Sequence, residues 1–397
     1  MSERAYDIVV FGATGFTGEL VARYLAKWIP KGRRWAIAGR SAERLETVRQ
    51  GLLALNPDCE VGVVMADLEQ PASLIEMARQ TRVVLTTVGP YMEYGEAVLR
   101  ASIQGGAHHL DITGEPDFIE IARKRYHEAA LGKKLCIVHA CGFGSLPPDA
   151  GAFFTAQQLP PDTEKSVRAY IDTNARPSGG TVRSVLRAAA KGRLSLLREL
   201  TRPVGEPARL PRLKARIHKN RELGGWAVPT PVVDAWMVEH SVQAHSAAYG
   251  SHFQYTQYFL VRHLALLCLA LIGALLLLVL VRVPPFRLLF EWLLARPGGP
   301  SAEARSRTHF AITFIGESTS ERVVTRVSGG DPGYEEAAKM LAECGILMLD
   351  ERAEPAVFGV ASPIAAFGNR LIERLQERDV RFEVIQERTA RASLPSA

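Results

Sequence analysis

What the sequence lacks narrows it first. Five cysteines stand in 397 residues, at Cys59, Cys136, Cys141, Cys268 and Cys344, with no CxxC and no paired metal spacing. That pattern argues against a disulfide framework and a cysteine-based zinc module. No metal is expected, and the thiols read as small buried hydrophobes of a reducing compartment. No internal repeat and no long low-complexity tract occur, and no tyrosine is followed four residues later by a lysine. Met1-Ser2-Glu3-Arg4-Ala5 carries no apolar run ahead of the first strand pattern, so this first unit is expected on the cytoplasmic side. With 47% hydrophobic and 23% charged residues, disorder is not the default, and the length suits two packed domains.

What is present begins at Tyr6-Asp7-Ile8-Val9-Val10-Phe11, an apolar run that breaks into Gly12-Ala13-Thr14-Gly15-Phe16-Thr17-Gly18 and then into a helical pattern. Strand, glycines and helix in this order predict a dinucleotide site. Gly12 permits the tight turn, Gly15 the approach of a pyrophosphate and Gly18 the packing of helix on sheet, with Thr14, Phe16 and Thr17 in the same loop. The second strand, Trp35 to Gly39, ends in Arg40-Ser41, where an NAD enzyme would place an acid on the ribose. A guanidinium there suits a 2′-phosphate, with Ser41 and Arg44 as further donors, so NADP is the expected cofactor. Asp67, after the third strand, is expected beside the adenine or as a helix cap. Gly89 and Pro90, after the fourth strand, fall near the nicotinamide half.

Short apolar runs alternate with helical stretches to about residue 150, which predicts an α/β fold: a Rossmann-type doubly wound parallel sheet over residues 1–150. A second α+β substrate domain is expected over 151–345, carrying a membrane-associating helical insertion at about 190–305. It includes a strand near Ala169 and a hairpin from Thr308 to Ser328. Residues 346–397 read as a helical segment that packs back on the first domain.

Between Pro161 and Glu222 the chain holds fifteen Lys or Arg against six Asp or Glu, a surplus of nine against a net charge of +6. No nucleic-acid recognition motif accompanies it, so no nucleic acid is expected, and an anionic membrane surface is the better partner. A solvated basic loop is the plainer alternative. Leu264 to Val281 follows, without a charge, between Arg262-His263 and Arg282. Its eighteen residues reach roughly 27 Å against a hydrocarbon core of about 30 Å. A single crossing would part the hairpin from the strand near Ala169, so monotopic insertion at the cytoplasmic face is expected. Phe286 to Leu294 would then form a second interfacial piece, with Trp292 at headgroup depth.

The chain resembles the saccharopine dehydrogenase-like oxidoreductases, and within them the mycobacterial-type trans-acting enoyl reductases of lipid and polyketide synthesis. The resemblance rests on Tyr6 to Gly18, Ala38 to Ser41 with Arg44-Leu45, Val83 to Tyr91 with Tyr94-Gly95, Asp111-Ile112-Thr113-Gly114-Glu115 and Ser178-Gly179-Gly180-Thr181. Cys141 to Asp149 matches the family's G-F-D-S-x-P-S-D in part, Gly144 and Pro148 replacing an acid and a serine. The resemblance implies hydride transfer from NADPH to an activated, enoyl-type double bond on a lipid-like acyl chain, including one presented by a carrier protein. Such a reduction needs an enolate-stabilising donor and a proton source. Tyr91, Tyr94, His109, Asp111 and Asp149 lie at strand ends from which they could act. Tyr91 equally reads as a cover for the cofactor, and His109 and Asp149 as caps. The absent tyrosine–lysine pair disfavours the short-chain dehydrogenase mechanism. Two other readings stay open: a saccharopine-type dehydrogenase acting on an imine or amino acid, and a non-catalytic NADP-binding sensor or interaction module. No oligomeric state is read from the sequence.

Overall fold

The computed structural model describes residues 4–175, 178–190, 216–230, 234–283, 285–286, 289–290, 299–350 and 357–390. They form two compact units. The first comprises Met1–Leu146, Pro297–Ser301 and Pro332–Arg374; the second takes up the rest.

The first unit alternates strand and helix: β1 (Tyr6–Phe11), α1 (Phe16–Trp28), β2 (Trp35–Gly39), α2 (Ala42–Leu55), β3 (Val61–Met65), α3 (Pro71–Arg79), β4 (Thr81–Thr86), α4 (Tyr91–Gly105), β5 (His108–Asp111), α5 (Pro116–Gly132) and β6 (Cys136–Val138). The strands pair in parallel in the order β13-β6-β5-β4-β1-β2-β3, where β13 (Gly359–Ala361) comes from far along the chain. Helices cover both faces of such a sheet, so the middle of its central strand is apolar: Ile8, Val9 and Val10 are fully buried. In α1 the buried residues Gly18, Val21, Ala22, Leu25 and Ala26 recur at helical spacing and give it one face for the sheet. Local chemistry sets the helix ends. Ser41 caps α2, Pro71 and Pro116 open α3 and α5, and Gly106, at φ 76°, closes α4.

The second unit holds α6 (Leu146–Gln157), β7 (Glu164–Thr173), α7 (Gly179–Ala190), β8 (His218–Asn220), β9 (Gly225–Pro229), α8 (Asp234–Ala244), α9 (Ser246–Tyr249), β10 (His252–Val261), α10 (Leu264–Leu280), α11 (Ala302–Ser306), β11 (Phe310–Glu317) and β12 (Glu321–Gly329). Its mixed sheet runs β14-β12-β11-β7-β10-β9-β8, closed at one edge by β14 (Arg381–Ala390). The expected hairpin is β11–β12, and β11 pairs antiparallel with β7, so hairpin and strand do share a sheet. α6 lies against it: a methyl on Gly151 would come 2.1 Å from the Phe314 ring.

Three expectations change. The division falls at residue 146, not 150, and α12 (Glu335–Met348) belongs to the first unit rather than to a substrate domain. Its buried Glu343 accepts from Tyr24 on α1 (2.5 Å) and from Arg374 (2.5 Å), and Gly345 lies against Leu85 of β4. The last fifty residues are not simply helical. They supply β13, α13 (Pro363–Phe367) and most of α14 (Asn369–Gln376) to the first unit and β14 to the second. Among the described residues no helix is long and apolar enough to cross a membrane, for α10 ends at Leu280 after seventeen residues. Residues 191–215 of the basic stretch and the interfacial piece around Trp292 lie outside the described residues.

Candidate active site

The glycine loop leaves the carboxyl end of β1, the end of a parallel strand off which ligands of such sheets sit. Gly12 has φ +89°, and a methyl on Gly18 would sit 2.2 Å from the Gly12 carbonyl oxygen; on Gly15 it would sit 3.3 Å from the same atom. At Gly18 only a hydrogen fits, because helix and turn meet this closely, whereas at Gly15 the contact is tight but open to a methyl. Gly15 is the N-cap of α1 and offers no side-chain cap, so the helix start faces outward with the field that suits a pyrophosphate. The residues therefore fit a dinucleotide. Thr14 accepts from Arg44 Nη2 (2.9 Å) through its carbonyl, which ties α2 to the loop. Phe16 turns toward Tyr334, edge to face at 4.9 Å, and lies against Gly299. Thr17 is half-buried in the first turn of α1.

Arg40 is exposed at the end of β2. Of its expected companions, Ser41 uses its oxygen to accept from the Arg44 nitrogen (3.4 Å), leaving Arg40 as the guanidinium without a local bond of this kind. Asp67 forms a local turn, accepting from the Glu69 nitrogen (3.1 Å). Gly89 and Pro90 lead into α4, and Pro90 is its N-cap.

Beyond β4 the site becomes a buried polar cluster. Asp111, at the end of β5, has no exposure and four hydrogen bonds: Oδ2 accepts from His139 Nδ1 (2.7 Å) and His109 Nε2 (3.3 Å), and Oδ1 from the nitrogens of Thr113 (3.0 Å) and Ala140 (3.2 Å). Burial alone would raise its pKa, but the two imidazoles outweigh it and hold the carboxyl far below the ordinary range. The carboxylate is thus ionised, which makes both facing ring nitrogens donors. His109, lowered by burial, stays neutral and keeps its Nδ1 against Ser102 Oγ (3.2 Å). His139 packs edge-on to Phe118 at 5.2 Å, and its Nε2 has no hydrogen-bond partner. The donor set, two imidazoles and a carboxylate, is one that metals use, but the distances are those of hydrogen bonds.

Two costs converge here. An unpaired buried acceptor costs about 1–3 kcal/mol, and Ala140, at φ +59°, sits in a left-handed conformation that costs about 1–2 kcal/mol. Such costs cluster at working sites.

The structure brings His109 and Asp111 together and joins to them His139, which the sequence reading passed over. The signal was there: β5 and β6 pair Leu110 with Val138, so the next residues, Asp111 and His139, are neighbours. Tyr91 is buried and its hydroxyl donates to the Thr86 carbonyl (3.2 Å); burial pushes its pKa well up, which makes it a poor acid. Tyr94 is exposed on the first turn of α4. Asp149 belongs to the second unit, where its Oδ2 accepts from Ser241 (2.9 Å). Glu115 was also missed as a working group: its carboxylate accepts from the nitrogens of Tyr91 (2.9 Å) and Met92 (3.0 Å) and so caps α4.

No family model matches the chain. A rat protein and a human protein, each named saccharopine dehydrogenase-like oxidoreductase, are 32% identical to it over 421 residues, covering 96% of this chain and 98% of theirs. A Mycobacterium tuberculosis protein with the provisional name trans-acting enoyl reductase is 33% identical over 417 residues, covering 96% of this chain and 97% of its own. Among solved structures, yeast saccharopine dehydrogenase (L-Glu forming) superposes with a TM-score of 0.56 at 10% identity, covering 96% of this chain and all of that one, a likeness of fold.

Proposed function

Since the chain belongs to the saccharopine dehydrogenase-like oxidoreductase family, we propose that it is an NADPH-dependent reductase of an activated double bond on a lipid-like acyl chain, working at the cytoplasmic face of a membrane. Gly12, Gly15 and Gly18 would hold the pyrophosphate and Arg40 the 2′-phosphate, and the bound cofactor supplies a hydride.

The observation that carries the lipid half of this reading is α10. Its seventeen residues hold no charge, and Leu269, Ile272 and Leu276 are 67%, 65% and 57% exposed. Its far end is covered, where Leu277 and Val281 meet Val182 and Leu186 of α7. An apolar helix that exposes leucine and isoleucine side chains at these described positions belongs against acyl chains. The mycobacterial relative's provisional name agrees with an enoyl substrate. A polycarboxylate amino acid is a poorer fit, because the helix start nearest the end of β4 already holds the chain's own Glu115 carboxylate.

The test is NADPH oxidation by purified protein in detergent or vesicles, with trans-2-enoyl thioesters, with 2-oxo acids plus amines, and with no acceptor. Reduction of the thioesters supports the reading, and reduction of the imine-forming pairs replaces it with a saccharopine-type activity. Tight NADPH binding with neither acceptor reduced would favour the non-catalytic module.

A further inference from the structure

The proposed reduction needs a proton donor and a group to hold the carbonyl oxygen, and the connection after β6 carries two side chains suited to those tasks. In the first unit, His139 Nε2 and Ser145 Oγ are buried without hydrogen-bond partners, and they flank one short turn in which the Ser145 nitrogen donates to the Gly142 carbonyl (3.3 Å). We propose that His139, held by Asp111, protonates the α-carbon of an enoyl thioester while the Ser145 hydroxyl donates to its carbonyl oxygen. The assignment rests on the reductase reading above.

The geometry fits the roles. The 2.7 Å bond to Asp111 keeps the proton on Nδ1 and fixes the ring, so Nε2 is the nitrogen that gains and gives a proton. A protonated His139 would be balanced by the ionised carboxylate beside it. Asp111 is therefore a positioning residue. Other titratable groups around the dyad are His109 on β5, Tyr91 at the start of α4, Glu115 before α5, Cys136 and Cys141 on β6 and its turn, and Cys344 on α12; β13 and α13 bring none. The turn after His139 has to yield for substrate to enter, and Gly144 is the place for it, exposed and with no neighbour within 4 Å of an added methyl.

The step balances. The β-carbon would accept the hydride that NADPH, held at the glycine loop, would supply. The displaced π pair moves onto the thioester oxygen, where Ser145 donates its hydrogen bond. As the carbonyl re-forms, the α-carbon takes the proton from Nε2, the N–H bond breaks and the imidazole is left neutral, to be reprotonated from water. One enoyl thioester, one NADPH and one proton give one saturated thioester and one NADP⁺.

The experiment uses the full chain, trans-2-dodecenoyl-coenzyme A as acceptor, and His139→Asn, which keeps a donor toward Asp111 but removes Nε2. NADPH binding by fluorescence reports folding, and His139→Gln replaces the first variant if it does not bind. Expected are a kcat loss of about 10²–10⁴-fold and loss of the alkaline limb of the wild-type pH profile. Ser145→Ala, which leaves the dyad intact, should lose about 10²–10³-fold in kcat and keep the limb. A second readout needs no nucleotide: in ¹⁵N-histidine-labelled protein, dodecanoyl-coenzyme A should shift the His139 Nε2 signal. Unchanged kcat and limb in the His139 variant, or no shift of that signal, overturns the assignment while the reductase reading stands. Wild-type protein that binds NADPH and reduces no enoyl thioester overturns both.

Discussion

Glu115 caps the helix that Tyr91 opens: its Oε1 lies 2.9 Å from the Tyr91 nitrogen, across twenty-four residues of sequence. With Oε2 on Met92, one carboxylate takes up two of the donors that a helix start leaves unpaired. Glu115→Ala should cost about 1–2 kcal/mol of stability and Glu115→Gln less, read as a shift in the urea midpoint. An alanine variant as stable as wild type would show that the cap contributes nothing.

Gly18 and Gly15 should part company. A methyl on Gly18 meets the Gly12 oxygen at 2.2 Å and backbone must move, so Gly18→Ala should lose about 1–3 kcal/mol or more, and NADPH binding with it. Gly15, at φ −87° and with its nearest contact at 3.3 Å, should accept alanine with the fold kept and nucleotide affinity reduced. Thermal melts with and without NADPH separate the two.

Arg40→Glu should weaken NADPH far more than NADH in fluorescence titrations, since the guanidinium stands at the end of β2 where a 2′-phosphate would lie. Equal losses for both nucleotides would remove the assignment.

Acid sensitivity should come in two steps. Burial, with Arg82 and Arg4 nearby, lowers the His108 pKa to about 4, and the neutral ring accepts from the Cys136 nitrogen (3.0 Å). The unfolded chain takes up that proton near pH 6.5, so the contribution of His108 is complete above about 6.5 and is lost as the pH falls to about 4. Asp111, lowered mainly by its two histidines, keeps its contribution until the pH drops below about 4. In stability measured against pH, His108→Gln should flatten the first step and leave the second.

Replacing Leu269, Ile272 and Leu276 together with glutamate should abolish flotation with vesicles containing anionic phospholipid and leave NADPH binding intact. A wild-type chain that stays at the bottom of the gradient would sink the membrane reading.

The parallel sheet was legible because its first four strands carry apolar runs that alternate with helical patterns, with a stop signal such as Gly106 after α4. β13 was not, since three residues, Gly359 to Ala361, carry no periodicity and are strand only because β6 offers an edge. The site divides in the same way. The glycine loop is a local pattern, written in seven consecutive residues, Gly12 to Gly18. The dyad of Asp111 and His139 is a product of strand register, and neither residue announces the other twenty-eight positions away. Glu343 on α12 meets Tyr24 for the same non-local reason.

The late arrival of β13 also bears on how the chain is made. Val138 of β6 and its partner Ala361 are separated by 223 residues, 361 minus 138. At about 5–20 residues per second of synthesis, β6 waits roughly 11–45 s on the ribosome with its outer edge unpaired. Through that interval the nascent first sheet presents an open strand, which is a template for wrong pairing. Chaperone capture before residue 361 emerges would thus govern yield, and any stop codon upstream of Gly359 would leave the first unit with a permanently sticky side.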